Sequence, residues 1–308
     1  MNGLVLGVSP HICGARSTRR IMLDVILALL PALAAAIWFF GWRSLLLTAV
    51  SAAACVLFEF LWEKGHKTAV TVGDLSAVVT GILLAYNVPA GMPVWELLVG
   101  DAAAVLVAKM LFGGLGCNFV NPALVGRVVL MFSFTADMTK YPVPNGAIDA
   151  LSSATPLAAL DRLSLRDLPQ LLLGCHGGVI GETCMLALLL GGVYLLARKV
   201  IGPAIPLSFL GAALLFTRLF GGAQPVLALF SGGLMLGAVF MATDYVTSPF
   251  TARGKVIFGV GCGFITAVIR VFGRYAEGVT FAILLMNLLV PYINDLTMPK
   301  PLGEVTEK

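Results

Sequence analysis

Long apolar stretches separated by short polar connections run along the chain from residue 21 to residue 295. They fall at 21–40, 43–62, 74–88, 94–112, 121–134, 171–196, 203–220, 225–243, 254–272 and 277–295. About 20 consecutive apolar residues span the hydrocarbon core of a bilayer. The pattern therefore predicts an all-α polytopic membrane protein with about ten transmembrane segments. Three stretches, 74–88, 121–134 and the first part of 225–243, are short or glycine-rich. Pro89 and Pro93 follow the first of these and Pro249 follows the last. Short or broken segments survive in a membrane where protein or enclosed water satisfies the irregular backbone, so they mark where an internal site is expected.

The pattern also recurs within the chain. "LLAYNV" at 83–88, ahead of Pro89, resembles "FMATDYV" at 240–246, ahead of Pro249, and "LFGGLG" at 111–116 resembles "VFGRYAEG" at 271–278. Each half then holds five segments, and an odd number makes the second half insert upside down, giving two inverted repeats. The expected organisation is a cytoplasmic N-terminal segment at 1–20, a first membrane repeat at 21–134 and a non-cytoplasmic loop at 135–170. A second repeat at 171–297 and a cytoplasmic tail at 298–308 complete it.

Composition agrees with the pattern. Charged residues make up 12% of the chain, against about 25% in a soluble domain, and hydrophobic residues 59%. Residues before Ser17 lack the apolar core of a cleavable signal. The net charge of +4 suits loops facing anionic lipid and gives no reason to expect nucleic acid as a partner. With the N-terminus inside, eleven Lys and Arg lie on the cytoplasmic side and seven on the other. That bias puts both termini in the cytoplasm and the 135–170 loop outside it. The six cysteines show no Cys-x-x-Cys pair and lie mostly in or beside apolar runs, where cysteine acts as a small hydrophobe. Trp38, Trp42, Trp62 and Trp95 sit near segment ends, as interfacial anchors do.

Charges inside the segments are the first candidates for chemistry, because each is costly if it faces lipid. Asp101 is the most deeply placed and is the candidate for an ion pathway, with Lys109 two turns away on the same segment. Glu59 is expected to reach the interface from its segment end, and Asp24 to pair with Arg20 one turn away. Asn118 and Asn121, in "GCNFVNPA", stand three apart at the mouth of a short segment. They suit a cofactor edge or a dehydrated cation, or else Asn121 simply caps a helix that opens on Pro122. Asp244, Thr247 and Ser248 invite the same two readings, with a cap or turn preferred.

The polar loop contains "DALSSATP", residues 149–156. Thr155-Pro156 on its own reads as an N-cap followed by a first-turn proline. The run Asp149, Ser152, Ala154, Thr155 also resembles a flavinylation motif of respiratory complexes, in which a transferase joins FMN through its phosphate to the last threonine. Where that family often has Gly, this chain has Ala150 and Ser153. "STRRIMLDVILALLPA" (17–32), "GGLGCNFVNPALVGRVVLMFSF" (113–134) and "FMATDYVTSPFTARGKVIFG" (240–259) extend the likeness over nearly the whole chain. Together they resemble the D subunits of Rnf electron-transport complexes and the related B subunits of sodium-pumping NADH:quinone reductases.

The resemblance implies a prokaryotic cytoplasmic (inner) membrane subunit of an ion-translocating oxidoreductase of the ferredoxin:NAD type, not catalytically complete alone. It implies covalent FMN on Thr155, with Asp149, Ser152, Ser153 and Ala154 as the attachment motif on the outer face. It further implies a non-covalent riboflavin in the bundle, with Asn118 and Asn121 as candidates for that site. The implied partners are the other subunits, including a second covalent-FMN subunit, a flavin transferase for maturation, and the lipid bilayer. From hydropathy alone, a solute channel or transporter without redox chemistry is the alternative reading.

Overall fold

The computed structural model describes residues 17–142, 168–174, 176–182, 184–222, 224–273 and 278–299. Among these the regular structure is helical, with no strand. The flavin motif at 149–155 lies outside the described residues.

Helix α1 (Thr18–Phe40) starts at Ser17, whose hydroxyl accepts from the Arg20 N–H, and ends at Gly41. Gly41 adopts φ +76°, which an L side chain resists, and this permits the immediate reversal into α2 (Trp42–His66). These two helices, with α12 (Ala252–Phe272) and α13 (Val279–Thr297), are long and apolar enough to cross a membrane by themselves. The helices of the other segments are shorter, as expected for 74–88 and 121–134. Helix α3 (Ser76–Tyr86) has 11 residues and α5 (Pro122–Ser133) has 12, about 17 Å each at 1.5 Å per residue. Between them α4 (Val94–Ala102) continues into a wide i→i+5 turn, Ala103–Val107. A short α6 (Thr135–Met138) follows α5.

In the second half, α7 (Leu168–Leu173), α8 (Met185–Ala197), α9 (Ala204–Leu219), α10 (Pro225–Leu229) and α11 (Leu234–Leu236) precede α12. A second wide turn, Gly237–Met241, extends α11. The sequence reads 171–196 as one segment, but α7 and α8 are separated by non-helical backbone at 174, 176–182 and 184. Residues 177–182 are buried, and two of their amides are satisfied across the bundle. The Ile180 N–H donates to Val88 O (3.1 Å) and the Gly181 N–H to Tyr86 O (2.8 Å). One broken segment thus supplies the hydrogen bonds that another lacks, the condition for irregular backbone away from water. A Cβ on Gly181 would stand 2.5 Å from Tyr86 Cβ, so only glycine permits this approach.

The two halves pack in a recurring scheme. Helix α3 lies against α1 and α5, while α11 lies against α8 and the wide turn after it against α13. Across the halves α1 meets α8 and α5 meets α13. Leucines and tryptophans such as Trp38, Trp42 and Leu207, together with Tyr292, cover the outside, where lipid replaces water as solvent.

Candidate functional site

The ends of α1, α3, α5, α8 and the second wide turn surround a cleft enclosing about 770 Å³ of empty space, its mouth included. Val25, Leu83 and Phe240 supply apolar walls, and Ser76, Thr80, Lys109, Asn118 and Asn121 supply polar groups. The two asparagines of "GCNFVNPA" are therefore brought to one site, and each is also used structurally. Asn121 caps α5, its Oδ1 accepting from the Ala123 N–H (3.1 Å), and its Nδ2 donates across the molecule to Met241 O (3.2 Å). Asn118 Nδ2 donates to Val120 O (3.2 Å). Asn121 thus both caps α5 and lines the cleft. Asp244 belongs to a turn, its carboxylate accepting from the Thr247 hydroxyl (3.1 Å) and the Val246 N–H.

Around Asp101 the helices α2, α3 and α4 converge. Its carboxyl is fully buried, and Oδ1 accepts from Ser51 Oγ (2.6 Å) and Cys55 Sγ (3.4 Å). Lys109 does not share these partners. It is buried on the cleft wall, with Nζ at 2.8 and 2.9 Å from the two oxygens of Glu59 and 2.6 Å from Ser76 Oγ. Glu59, expected at the interface, is instead fully buried. It stays inside because Lys109 supplies its counter-charge, the usual condition for a buried carboxylate.

Other charges tie the bundle together. Asp24, expected to pair with Arg20, forms a salt bridge to Arg198 at the end of α8 (3.3 Å) and accepts from Tyr194 Oη (3.0 Å). Arg127 on α5 donates to Asn87 Oδ1 (2.6 Å) at the end of α3. Arg270 lies within α12 and donates to Ala228 O (2.6 Å) and Ser231 O (3.2 Å) between α10 and α11. Outside the membrane-spanning segments, the hydrogen bond from Lys140 holds the Asp137 carboxyl below the usual aspartate range.

Sequence reasoning missed Glu59 and Ser76 as interior groups. The signal for the first was present: Ser44, Thr48, Ser51, Cys55, Glu59 and Glu63 recur every three or four residues, one face of a helix.

The NQR2, RnfD, RnfE family matches residues 5–303. The D subunit of a Na(+)-translocating ferredoxin:NAD(+) oxidoreductase complex from Acetobacterium woodii is 45% identical, the match covering 98% of this chain and 97% of the relative. The corresponding D subunit of a proton-translocating ferredoxin:NAD(+) oxidoreductase complex from Clostridium ljungdahlii is 37% identical, with 98% and 97% covered. The D subunit of an ion-translocating oxidoreductase complex from Escherichia coli is 39% identical, with 96% and 97% covered. Carried by agreement along almost its entire length, the chain belongs to the NQR2, RnfD, RnfE family.

Proposed function

We propose that the chain is the D-type membrane subunit of a redox-driven ion pump of the ferredoxin:NAD oxidoreductase kind. It relays electrons and couples their passage to Na⁺ or H⁺ movement, and it works within a complex of several subunits. The observation that carries this reading is the near-complete coverage shared with relatives so described.

In this reading FMN is joined through its phosphate to Thr155, within the motif Asp149, Ser152, Ser153, Ala154. The flavin supplies one-electron transfer, and a covalent tether keeps it in place whatever its redox state. A flavin transferase installs it, and a second subunit of the complex carries another covalent FMN. The cleft fits a second, non-covalent flavin in chemistry: amides and hydroxyls for a pyrimidine edge, and apolar walls for the rings. Asn118, Asn121 and Thr80 would hold such a group.

The chain spans the prokaryotic cytoplasmic membrane as two inverted repeats, with the cleft and both termini inside and the 135–170 loop outside. The recurring packing of α3 and α11 supports the repeat.

In-gel fluorescence tests the reading. Denatured protein made in a host with the transferase should fluoresce, Thr155→Val should be dark, and a peptide spanning Asp149 to Arg162 should carry the mass of FMN. A dark wild-type band of bare polypeptide mass overturns the redox assignment and favours a passive transporter.

A further inference from the structure

The buried face of α2 carries polar and ionisable side chains along its whole length, with Leu47 and Ala54 among them. Ser44, Thr48, Ser51, Cys55, Glu59 and Glu63 are all buried, while Leu45, Leu57 and Leu61 are exposed on the opposite side. The span from Ser44 to Glu63 rises about 28 Å, close to the roughly 30 Å hydrocarbon thickness. Polar and ionisable groups buried over that length are costly, and they are characteristic of a transport route.

Two hydrogen-bonded groups occupy this face. The first leads to the surface. Half-buried Asp74 accepts from Ser76 Oγ (2.6 Å), Ser76 accepts from Lys109 Nζ (2.6 Å), and Lys109 is paired with Glu59. The second is Asp101 with Ser51 and Cys55, and its Oδ2 is buried with no hydrogen-bond partner. Cys55 stands four residues from Glu59, about 6 Å of helix rise, so one turn of α2 separates the two groups. The wide turn at Ala103–Val107 explains why both reach α2. Eight residues at about 100° each would leave Asp101 and Lys109 about 80° apart around a regular helix. An i→i+5 turn winds more slowly and removes the offset.

We propose that this face is a proton path through the first half of the bundle, with Asp101 as the proton-holding group and the Lys109–Glu59 pair as the gate between it and Asp74. The proposal rests on the pump reading above and assigns its ion and route. The chemistry at Asp101 selects a proton over a metal cation. One of its two donors is a thiol, which hard cations do not favour, and a carboxyl buried away from any counter-charge is held most cheaply as the acid.

The steps balance. In the resting pair Lys109 is the ammonium and Glu59 the carboxylate. The ammonium gives one proton to Glu59, which leaves a neutral amine beside a carboxylic acid and breaks the ion pair. The Ser76 hydroxyl passes its proton to that amine as it takes one from the Asp74 acid. The Glu59 acid turns toward Cys55 and gives its proton to the Asp101 carboxylate, which has already given its own to water at the far end of the face, beyond Ser44, while Asp74 takes its next proton from water on its own side. Glu59 then returns as the carboxylate to the restored ammonium. One proton crosses per cycle, and no electron moves in these steps.

The test uses the whole complex in liposomes, with proton uptake followed by an entrapped pH dye, radioactive sodium followed in parallel, and electron transfer followed by flavin absorbance. Asp101→Asn removes the proton-holding carboxyl. It should lower proton uptake about a hundredfold, the usual scale for removing a proton-transferring side chain, and Asp101→Glu should restore most of it. Infrared difference spectra of the wild type should contain a protonated-carboxyl band that Asp101→Asn removes. Cys55→Val, which keeps the carboxyl, should shift that band, and it decides the matter if Asp101→Asn does not assemble. Undiminished proton uptake in Asp101→Asn, or a wild-type spectrum without the band, overturns the proposal. So does sodium uptake that survives a protonophore and is unaffected by Asp101→Asn. If the wild type shows no redox-linked ion movement at all, the pump reading fails, while the band still reports on Asp101 separately.

Discussion

Lys109→Met tests whether the buried pair is ionic. The substitution keeps most of the side-chain length but removes the ammonium, and with it three charge-assisted hydrogen bonds of 2.6–2.9 Å. Glu59 and Lys109 are both almost completely buried, so solvent does not replace the lost partner. Breaking a buried pair from one side costs about 3–5 kcal/mol, because a charge is left uncompensated. At about 2–4 °C per kcal/mol for a chain of this order of size, the apparent Tm in detergent should fall by on the order of 10 °C. Replacing both partners, Glu59→Gln with Lys109→Met, removes the charge as well as the partner and should recover most of that loss. Thermal unfolding of the four proteins completes a double-mutant cycle, with an expected coupling of about 2–3 kcal/mol. If the double variant is as unstable as Lys109→Met, packing rather than charge accounts for the site. If Lys109→Met is as stable as the wild type, Glu59 is not held as an anion.

Four further outcomes are expected. Gly191→Val should prevent stable assembly or cost about 1–3 kcal/mol, since a Cβ there stands 2.1 Å from Ala28 O across the α1–α8 contact; size-exclusion profiles and Tm report it. Gly211→Ala, where a Cβ meets nothing within 4 Å, should stabilise α9 by about 0.5–1 kcal/mol, seen as a higher Tm. Asn121→Ala removes a helix cap and the bond to Met241 and should cost about 1–2 kcal/mol, checked by the same melt. The pH dependence of the Asp137–Lys140 contact follows from the lowered carboxyl pKa. The contribution is present above the ordinary aspartate range and is lost as pH falls through the lowered value, so wild type and Asp137→Asn should melt with the same pH slope near neutrality and diverge only in acid.

The ten apolar stretches, the short third and fifth segments and the Asn121–Pro122 cap were legible because each depends on local sequence. The break between α7 and α8 was not. Gly177, Gly178, Val179, Ile180 and Gly181 read as apolar, and hydropathy does not separate a buried loop from a helix. What makes a loop of them is the pair of backbone carbonyls of Tyr86 and Val88, at and beyond the end of α3, almost a hundred residues earlier. Glu59 was misplaced for a related reason. Its distance from the segment end suggested an exit to the interface, whereas its environment is set by Lys109, fifty residues away in sequence. Charged pairs within one helix can be read from spacing, but pairs between helices depend on which faces meet.

Lys109 belongs to both interior sites, and that geometry bears on coupling. It lines the cleft and also carries the ion pair with Glu59. A unit negative charge about 6 Å from its ammonium, at an effective dielectric of about 20, attracts it by about 3 kcal/mol. That is comparable to the roughly 3–5 kcal/mol at stake in the pair, so a charge entering the cleft competes with Glu59 for the same cation. A neutral ligand of the same shape exerts no such pull. Reduction of a group seated in the cleft should therefore perturb the infrared carboxylate band that Glu59→Gln removes, and Lys109→Arg, which keeps the charge, should preserve the response. A Glu59 band indifferent to redox state would show that the two sites share a residue without sharing a free energy.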